Sequence, residues 1–149
     1  MGVRDTAADR EEVLRELFGL APQLERFRAE GMARRGLTQP RARLLRRLDE
    51  HGPQVMSELS RALDVTPRAV TALVDGLEAG GLVRRCEHPR DRRATVVELT
   101  ASGRRTCREM REGHTRLSAE LLGGFSEREL DASLRVVRAV RSAMEGRRA

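Results

Sequence analysis

The 149-residue sequence predicts a mainly α-helical chain with one small β-hairpin, and three observations carry that prediction. Apolar residues recur at helical spacing through most of the chain, as in Val70, Leu73, Val74 and Leu77. The stretch LVRRCEHPRDRRATVVELT, residues 82–100, instead alternates apolar and polar side chains as strands do. Helix starters and stoppers (Gly52, Pro67, Gly80, Gly81) fall between the periodic segments.

A chain of this length suits one domain, 1–149, with a real core. With 35% charged and 39% hydrophobic residues it reads as soluble globular material rather than a disordered tail. It lacks the apolar run of roughly 18 residues that a membrane span needs. MGVRDTAADREE is charged where a signal peptide is greasy, so a cytoplasmic location and no membrane partner are expected. Cys86 and Cys107 are far apart and lack metal-ligand spacing, which suits a reducing compartment. A net charge of +6 favours a polyanionic partner, because basic side chains release counterions from a phosphate backbone on binding. All 29 basic residues are Arg, and Lys, Ile, Asn, Trp and Tyr are absent, a bias that a GC-rich coding sequence also produces. The positions of the arginines therefore weigh more than their number.

Residues 6–35 read helical, with Val13, Leu14, Leu17, Leu20, Leu24, Phe27 and Met32 on one face. Gly19 and Pro22 interrupt this segment and predict a kink or two shorter helices. Thr38 is placed to cap a second helix, with Pro40 in its first turn, Leu44, Leu45 and Leu48 inward and Gly52 as its stop. After an extended GPQVM, Ser57 is expected to cap a brief helix carrying Leu59, Ala62 and Leu63. DVT at 64–66 makes a tight turn, after which Thr66 caps a helix opened by Pro67 and closed by Gly80 and Gly81. Its second face shows Arg68, Ala69, Thr71, Ala72, Asp75 and Gly76. Residues 82–87 and 94–99 are the strands, with HPRDRR as the loop between them. Thr100 caps a long helix, and Ser126 with Glu129 forms a capping box for the last one.

A short helix, a three-residue turn and a capped second helix make a helix-turn-helix, and the hairpin after it adds a wing. In such a lobe the second helix presents its N-terminal residues to base edges in the major groove. Arg68 suits guanine, while Thr71 and the alanines suit a thymine methyl. The hairpin tip carries Arg90, Arg92 and Arg93 around Asp91, and arginine enters a narrow minor groove well. Asp91 and Arg93 are two apart in near-extended chain and point the same way, so the carboxylate can hold the guanidinium fork. The arginines of the hairpin are thus read as gripping double-stranded DNA rather than as a solvated loop.

Three segments, LTQPRARLLRRLDEHGP, MSELSRALDVTPRAVTALVDGLEAGGLVRR and HPRDRRATVVELTASGR, together resemble the MarR family of bacterial winged helix-turn-helix regulators. The most specific part is the D-x-R of Asp91 and Arg93, followed by Leu99, Thr100 and a helix. The resemblance implies a winged helix-turn-helix lobe over 37–100 and dimerisation helices over 6–35 and 101–146. It also implies a homodimer with interlocked terminal helices. DNA-binding roles carry over to Ser57, Thr66, Pro67, Arg68, Thr71, Arg90, Asp91, Arg92 and Arg93, with Arg93 in the minor groove and Asp91 orienting it. On this resemblance the protein is a ligand-responsive repressor on a palindromic operator, at the nucleoid when bound. Its small-molecule effector, aromatic or anionic, has only Phe18, Phe27 and Phe125 for stacking.

Dimerisation also follows from the residues, since LRVVRAVRSAM and the stripe from Leu14 to Phe27 are more apolar than the lobe needs. The expected cofactor and metal are none: His51, His88 and His114 make no i, i+4 pair, and no catalytic motif is present. The chain is therefore not expected to be an enzyme. The run RARLLRR at 41–47 reads as a solvated helix face, Cys86 as a small strand residue despite nearby arginines, and Cys107 as core. The competing classes are a basic architectural protein that coats DNA and a winged-helix adaptor for other proteins.

Overall fold

The elements follow one another as α1 (Ala7–Ala33), α2 (Gln39–His51), β1 (Gln54–Val55), α3 (Met56–Leu63), α4 (Pro67–Ala79), β2 (Val83–His88), β3 (Asp91–Leu99), α5 (Ala101–Leu122) and α6 (Glu127–Glu145). They come from a computed structural model that describes residues 7–88 and 90–147, and nothing is described of the side chains of Arg92 and Arg93. The chain forms two compact units, divided between Cys107 and Arg108.

In the first unit α1 runs unbroken through Pro22, so the expected division into two shorter helices does not occur. Proline removes one backbone donor, but it does so on an exposed stretch of helix, where Phe18, four residues before it, is 65% exposed. The side-chain amide of Gln23 also donates to the Gly19 carbonyl at 3.3 Å, supplying a bond to the same turn. Most of the stripe from Val13 to Phe27 is exposed, and only Met32 is buried.

Helix α2 buries Ala42, Leu44, Leu45 and Leu48, as the spacing of the leucines predicts. Thr38 has the extended backbone of a cap (φ −94°, ψ 160°), but its side chain makes no capping hydrogen bond. Gly52 ends the helix at φ 74°, a conformation that L side chains rarely adopt, and its N–H donates to the Leu48 carbonyl at 2.9 Å. Strand β1 then pairs with β3, Gln54 opposite Val97 and Val55 opposite Val96.

Ser57 is not the cap of α3. Pairing with β3 holds the chain extended through Val55, and the helix begins at Met56, which leaves Ser57 inside the first turn. The acceptor at this end is Glu58, whose carboxylate takes the Val55 N–H at 3.4 Å. Leu59 and Leu63 are buried and Ala62 is exposed.

The sheet has the order β1–β3–β2, all antiparallel. Val83 faces Leu99, Arg84 faces Glu98, Arg85 faces Val97 and Cys86 faces Val96. A register shift after Glu87 brings His88 opposite Asp91, so the strands extend further than the sequence suggests. The backbone of Asp91, Arg92 and Arg93 belongs to β3, not to a loop, because the irregularity absorbs the mismatch without ending the ladder. The core of this unit is aliphatic: Leu44, Leu45, Leu59, Val70, Val74, Leu77, Val83 and Val97, with Cys107 against them as expected.

Helix α5 meets the lobe through Gly103. A Cβ there would lie 2.0 Å from the Leu82 carbonyl oxygen, so only glycine allows this approach. Thr100 secures the same end, accepting the Gly103 N–H at 3.0 Å and donating to the Gly81 carbonyl at 2.7 Å.

In the second unit, the capping box forms as predicted. Ser126 Oγ accepts the Glu129 N–H at 3.4 Å, and Glu129 accepts the Ser126 N–H at 2.8 Å. The Ser126 hydroxyl, donating to the Glu129 carboxylate at 2.6 Å, and then the Ser126 N–H hold that carboxyl below the usual carboxylate range. Helix α6 buries none of its residues, and Leu134, Val136, Val137 and Met144 are about half exposed.

Candidate nucleic-acid interface

The turn between α3 and α4 is fixed by its own polar groups. Asp64 takes the left-handed conformation at φ 53°. The Val65 N–H donates to the Ser60 carbonyl at 3.1 Å, and Ser60 Oγ donates back to the Val65 carbonyl at 2.6 Å. Thr66 then caps α4, accepting the Ala69 N–H at 3.2 Å, with Pro67 in the first position. This end of α4 is therefore held rigidly before it meets anything outside.

Val70, Val74 and Leu77 bury one side of α4, and that burial sets which side faces outward. Thr66, Pro67, Arg68, Thr71 and Ala72 are exposed together at its N-terminal half, and Ser57 is exposed on α3. Thr71 Oγ donates to the Pro67 carbonyl at 3.0 Å, which leaves its lone pairs to accept from outside.

The hairpin divides its arginines in two groups. Arg84 pairs with Glu98 directly across the strands. Arg85, only 28% exposed, reaches back to α4: one end of its fork meets Asp75 at 2.6 Å and the other meets Glu78, whose second oxygen accepts the Arg85 N–H at 3.0 Å. The expectation that all the hairpin arginines grip DNA is thus corrected for these two, which are engaged within the protein. Asp75, expected on the outward face of α4, is a partner in that network. Nearer the tip, Arg90 is exposed, its N–H donating to His88 Nδ1 at 3.2 Å, and Asp91 is exposed at the start of β3. The side chains of Arg92 and Arg93 lie outside the described residues, and so does the pairing expected between Asp91 and Arg93.

Cys86 donates its thiol hydrogen to Glu98 at 3.4 Å. Burial, then the Glu98 carboxylate, push this thiol above its ordinary range, while Arg84 opposes them. Glu98 itself is held below the usual carboxylate range, first by Arg84 and then by Cys86. The arginines thus find a carboxylate and do not produce a thiolate. Among the described residues no group of His, Cys, Asp and Glu is arranged to hold a metal ion, and no helix is long and apolar enough to cross a membrane.

Part of the RARLLRR run has structural work that sequence reading missed. Arg43 donates to the Leu63 carbonyl at 3.3 Å, and Arg47 Nε donates to Gln54 Oε1 at 2.8 Å, fixing α3 and β1 to α2. Arg41 lies against Gly76 of α4.

Residues 37–95, the span from before α2 into the wing, match the family model described as MarR family. The chain is 27% identical over 128 residues to the HTH-type transcriptional repressor YetL of Bacillus subtilis, covering 85% of this chain and 77% of that protein. It is 32% identical over 101 residues to the HTH-type transcriptional repressor MdtR of the same organism, covering 68% of this chain and 65% of that one. The solved structure of a MarR family protein from Bacillus stearothermophilus superimposes with a TM-score of 0.73 at 29% identity, covering 97% of this chain and 99% of that one. The capped helix pair, the wing that follows it and these matches agree, and the chain belongs to the MarR family of winged helix-turn-helix regulators.

Proposed function

We propose that this protein is a sequence-specific double-stranded DNA-binding transcriptional regulator, a ligand-responsive repressor that acts as a homodimer on a palindromic operator. The observation that carries this reading is the outward N-terminal half of α4. Arg68, Thr71 and Ala72 stand exposed there on a helix that its cap and its buried stripe hold in place. A helix so presented fits the major groove, where small side chains allow close approach and Arg68 pairs with guanine. Ser57, Thr66 and Pro67 border that surface, and Arg90, Asp91, Arg92 and Arg93 supply the wing, with Arg93 in the minor groove and Asp91 as its orienter. The repressor names of YetL and MdtR support the regulatory half of the proposal.

The homodimer rests on unburied apolar surface. Phe18 and Val13 on α1, and separately Val136, Val137 and Met144 on α6, are each about half exposed or more, apolar side chains that a single copy leaves wet. Two copies related by a two-fold axis place two α4 helices on one face of a duplex, which explains a palindromic site. No enzymatic step is assigned.

Selection of bound duplexes from a random pool, repeated with small aromatic and anionic compounds, tests the whole reading. A short palindrome, lost on addition of one compound, is the expected result. Uniform protection of every duplex would instead assign the chain to the coating class, and no retention at moderate salt would assign it to the protein adaptors.

A further inference from the structure

Helix α4 has two flanks beside its outward face, and they differ in charge. On the flank of Thr71, Asp75 and Glu78, the arginine of the wing is Arg85, already held by two carboxylates. On the flank of Ala69, Ala72 and Gly76, the cation is Arg41, which reaches across from the first turn of α2. A Cβ at Gly76 would lie 2.0 Å from Arg41 Nη2, 2.5 Å from Cζ and 2.7 Å from Nε. The guanidinium therefore lies flat against the helix in space that a side chain at position 76 would fill. Among the described residues nothing accepts a hydrogen bond from Arg41 or forms an ion pair with it.

We propose that Arg41 is a phosphate-contacting residue of the DNA interface, seated on the flank of α4 by the missing side chain of Gly76. The proposal rests on the reading of this lobe as DNA-binding. A helix about 10–12 Å across nearly fills a major groove about 12 Å wide, so groups on its flanks meet the two backbones that wall the groove. A guanidinium that meets no acceptor among the described residues, laid along one flank, can present its fork to phosphate oxygens there. Glycine inside a helix is otherwise unfavourable relative to alanine, and seating this charge gives position 76 a reason to lack a side chain.

The test uses the full chain, a selected operator duplex and an unrelated duplex, titrated at several salt concentrations. Arg41→Ala is expected to weaken both duplexes by the same factor and to reduce the magnitude of the logarithmic salt slope by about 1. Gly76→Ala is expected to keep or raise the melting temperature, yet to weaken binding, because its methyl displaces Arg41. In the Arg41→Ala background the same substitution should do nothing more. Unchanged affinity and slope for Arg41→Ala, or additive effects of the two substitutions, would overturn the proposal. Failure of the unsubstituted chain to bind either duplex would remove the DNA-binding reading itself, and the role of Arg41 with it.

Discussion

Arg85 grips Glu78 twice: its backbone N–H donates to one carboxylate oxygen at 3.0 Å, and its guanidinium donates to the other. With Asp75 on the far end of the fork, this joins the last turns of α4 to the first strand of the hairpin. The angle between the helix and the wing is thereby set by charge as well as by packing.

Arg85→Ala is expected to lower stability by only about 1 kcal/mol, since Asp75 and Glu78 are 59% and 38% exposed and solvent screens them. Operator affinity should fall severalfold because the wing loses its setting, while the salt slope stays as it was. Thermal melts beside salt-dependent titrations check this. A slope reduced by about 1 would make Arg85 a phosphate contact instead.

Arg68→Ala should cost about 1–3 kcal/mol on the preferred duplex and relax discrimination at one base position. Binding measured on single-base variants of the operator decides it. An equal loss on every sequence would move Arg68 to the backbone.

Asp91→Ala, Arg93→Ala and the double substitution form a cycle at one salt concentration. If only net charge mattered, removing Asp91 would tighten binding. The expected result is weaker binding and a non-additive cycle, because the carboxylate is proposed to hold the Arg93 fork. Arg93→Ala should lose most at sites with A/T-rich flanks.

Gly103→Ala is expected to destabilise the fold by about 1–3 kcal/mol despite the better helix propensity of alanine. The new methyl meets the Leu82 carbonyl at 2.0 Å, and backbone has little room to yield. The midpoint of urea unfolding should fall accordingly.

Cys86 should alkylate slowly at neutral pH, since burial and Glu98 keep the thiol protonated to higher pH than an ordinary cysteine, about 8.5. Glu98→Gln removes one of the two effects that raise the thiol and leaves Arg84, which lowers it. Alkylation of the variant should quicken and begin at lower pH. Rates followed by mass from pH 6 to 10, with the peptide of Cys86 resolved from that of Cys107, provide the measurement.

The parts of this molecule that are legible in the sequence depend on near neighbours. Thr66, Pro67, Gly52 and the Ser126–Glu129 box act within a single turn, and each ends or begins a helix where its chemistry requires. The place of Ser57 inside α3 is not legible locally, because the start of α3 depends on a partner strand more than forty residues along, through the pairing of Val55 with Val96. Register decides the hairpin too: Arg84 meets Glu98 only once the strands are aligned, and the shift at His88 turns expected loop into strand. Arg85 with Asp75 and Glu78, and Arg41 with Gly76, require the packing of whole elements. Opposite charges on the two sides of Gly80 and Gly81 are the one trace of the first that a sequence carries.

The separate anchoring of α4 has an evolutionary consequence. Val70, Val74 and Leu77 fasten it from below and Glu78 from the side, while Arg68 and Ala72 hold nothing in place. Exchanges at these two positions fall within the small stability changes typical of surface sites, about 0.5 kcal/mol either way. A gene duplicate can thus drift toward a new target sequence by substitutions that leave its scaffold intact.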